Sequence, residues 1–127
     1  MCKRIIFKNV IYCTRLYGQK LKSSDYTVTY LTNNGSKAFG IIESIYFIDS
    51  QYFIKIQNYK NTGNKLNEIF KNLNNHDDVK IINSMFNQFY FHVKQYNEYT
   101  ILPISCLVRK AIFILIDKFI ESFAKFC

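Results

Sequence analysis

Apolar and polar residues alternate along much of the chain, most clearly in DYTVTYLTNNGSKAFGIIESIYFI (residues 25–48). Tyr26, Val28 and Tyr30 fall on one face and Thr27 and Thr29 on the other, which is the period-2 pattern of a half-buried strand. Asn34-Gly35 marks a tight turn because both residue types tolerate positive φ. The chain then returns as Phe39 to Ile48. After Asp49-Ser50-Gln51 it turns again into YFIKIQNY, where Tyr52, Ile54 and Ile56 alternate with Phe53, Lys55 and Gln57. Residues 26–58 therefore predict a three-strand meander.

On either side the pattern continues. RIIFKNVIYCT (residues 4–14) reads as one long strand, or as two short ones around Lys8-Asn9. The polar segment YGQKLKSSD predicts a loop, with Gly18 and Ser23-Ser24-Asp25 as its signals. Residues 60–88 are rich in Asn and Lys, yet Leu66, Ile69, Phe70 and Leu73 share one helical face. With Asn64 as a cap, they predict a short helix over 65–74 inside an inserted loop. Phe89, Phe91 and Val93 alternate with Tyr90, His92 and Lys94, a strand again.

Pro103 removes a ladder donor, so Tyr99–Leu102 should be an edge or terminal segment and 103–107 a turn or one 3-10 turn. Val108–Ile116 is apolar on both faces and suits the best-covered strand of a barrel; Phe119–Phe126 is the last strand candidate. The sum is a mainly β, single-domain chain: a small SH3-like β-barrel with one short helix in an inserted loop. Its strands fall in 4–58 and 89–126, and closure removes the exposed edges. An α+β fold is the rival if residues 60–88 hold more helix.

Composition agrees with a folded globule. Of 127 residues, 49% are hydrophobic and 17% aromatic, and a single proline leaves little room for a linker. The formal charge of +8 points toward anionic partners, but only Arg4, Arg15 and Arg109 are arginine. Arginine is the residue suited to bidentate phosphate contacts, and the excess of Lys, Asn and Ile also fits an AT-rich coding sequence. Cys2, Cys13, Cys106 and Cys127 lack the paired spacing of a zinc site, so no metal and no cofactor is expected. Lys8 and Asn9 interrupt any leader-like stretch, and the uncharged run Ala111–Ile116 is too short to cross a bilayer. An intracellular chain, nuclear or cytoplasmic, with reduced thiols and no membrane partner is expected.

Chemistry is sparse. His76-Asp77-Asp78 is the tightest group of His and carboxylate, and a solvated loop tip is its plainer reading. His92 reads as a surface histidine. Cys106 with His92 could form a nucleophile pair only if the fold brought them together, and Cys106 sits in an apolar run. The four glycines are too scattered for a phosphate loop. No enzyme is expected, and binding remains. Outward aromatics and bordering lysines are the candidates: Tyr17, Tyr46, Phe53, Lys55, Tyr59, Lys60, Tyr90 and Lys94. Packing against the core is the competing role for each aromatic. A nucleic-acid-binding barrel would need Lys20, Lys22, Lys55, Lys60 and Lys94 on one face, beside stacking aromatics.

Several segments in order carry a likeness: IIFKNVIYCT, DYTVTYL, FGIIESIYFI followed by YFIKIQNY, and YTILPISCLVRKAIFILID. Phe39-Gly40-Ile41-Ile42-Glu43-Ser44-Ile45 and Leu102-Pro103-Ile104-Ser105-Cys106-Leu107-Val108-Arg109-Lys110 resemble a "yG-x-I-x-x-I" strand and an "i-P-I-x-x-I-x-x-K" closing segment. These belong to a β-rich C-terminal module of uncharacterised, transposable-element-related animal proteins, and a module beside plant transposases is more distantly similar. The likeness spans nearly the whole chain, through short and mostly structural motifs. This chain departs from those relatives by ending at Phe126-Cys127 without a Phe-Pro and acidic tail, and by lacking their other domains. The resemblance implies a small barrel without catalytic residues: an interaction module from a transposon-derived protein, with a protein or nucleic-acid partner on its outer surface.

Overall fold

The computed structural model describes residues 2–63, 90–116 and 121–126. The chain opens with a hairpin, β1 (Arg4–Phe7) and β2 (Val10–Cys13), whose register Phe7↔Val10 leaves only Lys8 and Asn9 in the turn. Both take positive φ, 50° and 64°, the primed geometry that matches the twist of the flanking strands. Of the two readings of residues 4–14, two short strands is the one adopted.

Arg15–Lys20, where a loop is expected, forms instead the helix α1. Gly18 has the look of a loop signal, but it answers to packing. A Cβ there would lie 2.4 Å from Cδ1 of Tyr26, so only glycine lets the helix settle against that ring. The helix expected over 65–74, the NNHDD turn and Phe89 lie outside the described residues.

The meander is present as β3 (Thr27–Leu31), β4 (Lys37–Ile48) and β5 (Gln51–Asn61). The turn between β3 and β4 is wider than Asn34-Gly35 alone suggests. Thr32 and Ser36 close it through Thr32 N–H to Ser36 O at 2.8 Å, and only Gly35 has positive φ, 83°. Asn34 acts through its side chain instead, accepting from the Ser36 hydroxyl at 2.6 Å. Asp49-Ser50, with φ of 50° and 63°, makes the tight turn between β4 and β5. β6 (Phe91–Pro103) pairs antiparallel with β5, and a 3-10 turn at Ile104–Cys106 leads into β7 (Leu107–Ile116). Both the terminal position of Tyr99–Leu102 and that turn agree with the Pro103 argument. β8 is Glu121–Phe126.

Strands β3-β4-β5-β6-β8-β7 close into a barrel, so the mainly β barrel is the architecture. Its strands carry two apolar cores. Val28, Tyr30, Ile42, Ile45, Ile54 and Ile56 share one with Tyr12, Leu102 and Leu107, and the β1–β2 hairpin packs over it. Phe39, Val93, Ala111 and Ala124 form the other, with Tyr59, Phe91 and Phe113 against them. Strand alternation explains the split, because Phe39 and Ile42, an odd number of residues apart, point to opposite faces of β4.

Two covered faces change two further expectations. β3 is not half-buried: Thr27 and Thr29 are as hidden as Val28 and Tyr30. It, and not Val108–Ile116, is the best-covered described strand, since Ile112 is exposed while four of the five β3 residues are buried. Thr27 tolerates burial by donating to Ala111 O at 2.6 Å.

A bulge interrupts β4. Ile42 pairs with Ile56 and Ser44 with Lys55, so Glu43 is an extra residue in that strand. The insertion returns Ile45 to the core side although it lies three residues after Ile42, and both are fully buried. It also frees Glu43 from the ladder to meet α1.

Candidate functional site

Beyond the bulge, β4 and β5 run on as a hairpin to the Asp49-Ser50 turn. Cross-strand pairing there sets Tyr46 beside Phe53, Phe47 beside Tyr52 and Ile48 beside Gln51. The Phe47 and Tyr52 rings approach to 4.7 Å between centroids, tilted by 41°. Water reaches this tip: Phe47 is 57% exposed, Ile48 52% and Tyr52 37%. Tyr46 and Phe53 are half-buried on the opposite side of the ribbon.

Next to the tip, α1 rests on β4, and Cys2 N–H holds the preceding segment to Ile45 O at 3.0 Å. Between them lies a cleft of about 630 Å³ lined by Cys2, Lys3, Thr14, Leu16, Tyr17, Lys20, Glu43 and Ser44. Leu16 is 78% exposed. Glu43 accepts a hydrogen bond and ion pair from Arg15, whose guanidinium also donates to the buried carboxamide oxygen of Gln57. Arg15 thus ties the helix to the bulge and to β5 and neutralises the Glu43 carboxylate that lines the cleft. Lys3 and Lys20 give its rim a positive edge. Lys55, cross-strand from Ser44, lies over the exposed ring of Tyr99 at 4.7 Å from Nζ to centroid.

The eight candidates divide in the fold. Tyr17 lines the cleft; Tyr46, Phe53 and Lys55 continue along the same face of β4 and β5. Lys60 belongs elsewhere: an odd number of residues from Lys55 on an alternating strand, it points to the other face of β5. It pairs in register with Lys94 and lies 4.3 Å above the Tyr96 ring. Tyr59 packs into the second core, its ring 5.1 Å from that of Phe113, and donates to Gln95 Oε1 at 3.1 Å. Burial pushes its hydroxyl pKa up, against a smaller downward pull from Arg15. Tyr90 sits just before β6 under Lys125, 5.6 Å from Nζ to centroid. The lysines named for a nucleic-acid surface are therefore not all on one face: Lys20 and Lys55 share a side that Lys60 and Lys94 do not.

The possible nucleophile pair is not assembled. Cys106 packs against the rim of the first core, whereas His92 lies at the far end of β6 and its Nδ1 shares a 2.5 Å hydrogen bond with the Thr62 hydroxyl. His92 is also not a surface residue. It is 2% exposed, because the chain leaving β5 folds over it and Thr62 N–H donates to His92 O at 2.9 Å. Among the described residues no three His, Cys, Asp or Glu side chains gather as metal ligands, and His76-Asp77-Asp78 lies outside them.

Sequence reasoning missed Leu16, Phe47 and Ile48, which read as ordinary apolar positions. The available signal was the turn: a tight Asp-Ser connection leaves the strand residues on either side of it beyond the reach of either core. Comparison with family models, with curated proteins and with solved structures finds no match for this chain.

Proposed function

We propose that the chain is a non-catalytic interaction module that takes a protein partner on the β4–β5 tip and the adjoining cleft under α1. The exposed aromatic pair Phe47 and Tyr52, with Ile48 exposed on the other side of the ribbon, carries this reading. Exposed apolar surface of this kind marks interaction sites, and aromatic anchors on a rigid support bind at low entropic cost. Here the support is two long paired strands, with the second aromatic pair, Tyr46 and Phe53, on the reverse of the ribbon. The likeness of FGIIESI and LPISCLVRK to the transposable-element module supports an origin in a larger transposon-encoded protein.

A photo-crosslinking residue placed at Phe47, and separately at the exposed Ile112 on β7 as a control, tests it in cells. A discrete protein adduct at position 47, absent at 112 and lost on adding Tyr52→Ser, is the expected result. Equal labelling at both positions, or adducts with nucleic acid alone, would overturn the proposal. A second reading, a nucleic-acid ligand, is favoured by one observation away from the tip: Lys60 and Lys94 side by side next to Tyr96.

A further inference from the structure

On the face of β5 opposite Lys55, a pocket of about 320 Å³ opens between the β3–β4 turn and β6. Leu31, Ala38 and Leu102 give it apolar walls, and Asn58, Thr100 and Lys60 give it polar groups. The arrangement of Asn58 is informative. Its carboxamide oxygen accepts from the Tyr30 hydroxyl at 2.6 Å and from the Thr100 hydroxyl at 3.1 Å. Two hydroxyls converging on one oxygen fix the plane of the amide, and its NH2 group makes no hydrogen bond among the described residues. The pocket thus offers an oriented pair of donors with no protein acceptor among those residues to receive them.

Charge at the mouth points the same way. Lys60 and Lys94 are direct cross-strand neighbours, a like-charge juxtaposition that destabilises an antiparallel pair. Neither forms an ion pair among the described residues. Tyr96, 40% exposed, holds the Lys60 ammonium over its ring. An anion set between the two lysines removes their repulsion.

We propose that this pocket binds one nucleotide unit of a single-stranded nucleic acid. The acceptor edge of the base meets the Asn58 NH2 group, its ring lies against the apolar walls, and its phosphate sits between Lys60 and Lys94. The volume is at the low end for ligand sites, so the pocket takes one base and not a stacked pair. Single-stranded recognition commonly joins such a base contact to a cationic backbone contact. A simple anion would satisfy the lysines but would leave the apolar pocket unfilled. The site is separate from the β4–β5 tip and stands or falls without it.

The test is fluorescence anisotropy of a short labelled thymidine strand at low salt, with free thymidine monophosphate and inorganic phosphate as competitors. Asn58→Asp keeps an acceptor for Tyr30 and Thr100 but removes both donors, so the barrel should stay folded while affinity falls roughly tenfold or more. Lys94→Ala, at an exposed position, should weaken binding and lower the salt slope by about 0.7. Lys8→Ala, exposed in the β1–β2 turn, should leave binding unchanged. Competition by the mononucleotide well above that by phosphate supports the base pocket. Equal competition by phosphate overturns it, as does an effect of Lys8→Ala equal to that of Lys94→Ala, or no binding at all by the strand.

Discussion

Replacing Gly40 with alanine should destabilise the barrel, although its backbone conformation is one that alanine adopts freely. In β4 the φ of Gly40 is not positive, so the substitution would by itself stabilise by about 0.4–1 kcal/mol through a less flexible unfolded chain. Packing opposes this. A Cβ at position 40 would lie 2.2 Å from Cγ2 of Ile56, 2.9 Å from the Gln57 carbonyl oxygen and 3.1 Å from the Tyr30 ring. Carbon atoms settle at about 3.5–4.0 Å, so Ile56 must retreat by more than an ångström. Ile56 is fully buried and β-branched, and Gln57 O is backbone, so neither can swing aside. Overpacking of this kind costs about 1–3 kcal/mol, which outweighs the entropic gain and leaves a net loss of roughly 1–2 kcal/mol.

Urea unfolding followed by far-ultraviolet circular dichroism measures that loss; the chain has ten tyrosines and no tryptophan for a parallel fluorescence probe. Ile56→Ala removes the obstructing methyl and should cost about 2–5 kcal/mol alone. The Gly40→Ala, Ile56→Ala double variant should then fall short of the sum of the single losses by at least about 0.5 kcal/mol, because the new methyl occupies the vacated space. A neutral or stabilising Gly40→Ala, or strictly additive losses, would refute the reasoning.

Three further outcomes rest on the same structure. The ammonium of Lys110 donates to Asp25, and with Ser23 it holds the Asp25 carboxyl below the usual carboxylate range. A depressed folded pKa means the stabilisation is present above the unfolded value near pH 4 and is lost as pH falls through the folded one. Asp25→Asn should therefore flatten the acid limb of the stability–pH curve by no more than about 1 kcal/mol for this partly exposed pair, as read by thermal melts across that range. Arg15→Ala leaves the Gln57 oxygen buried without its donor and Glu43 without its cation, so it should cost about 1–3 kcal/mol in the same urea assay, whereas Lys20→Ala should cost almost nothing. Burial pushes the Cys13 thiol pKa up, with Asp25 adding to the rise, so mass spectrometry after iodoacetamide should show Cys2 and Cys106 alkylated first and Cys13 only in denaturant.

Much of the fold was legible because its signals are local. The period-2 runs from Tyr26 to Asn58 located three strands, and Pro103 located the 3-10 turn, since alternation and a missing amide act on the residues that carry them. The illegible parts depend on contacts distant in sequence. Gly18 looks like a loop breaker until the Tyr26 ring is seen against it. Thr29 looks like the solvent side of a strand until a second core closes over it, and His92 looks exposed until Thr62 covers it. For the candidate site the same limit applied. Sequence named Tyr46, Phe53 and Lys55, which share a face, but grouped them with Lys60 and Lys94, which a single odd step along β5 sends to the other side.

The ends of the first core also explain how so small a domain keeps the aromatic tip and the cationic pocket apart. A strand that is buried on both faces in its middle exposes residues only where one core ends before the other begins. On β5, the first core covers Ile54 and Ile56, and the second is reached at Tyr59. Phe53 and Lys55 therefore lie past the end of the second core. Tyr52 lies past one end of the first core, and Asn58 and Lys60 lie past its other end. The tip is left aromatic and the pocket mouth cationic because neither stretch had to satisfy a packed interior. A variant that weakens one surface should then leave the other's affinity intact, since the fully buried side chains of Ile54 and Ile56 lie between them in the packed core.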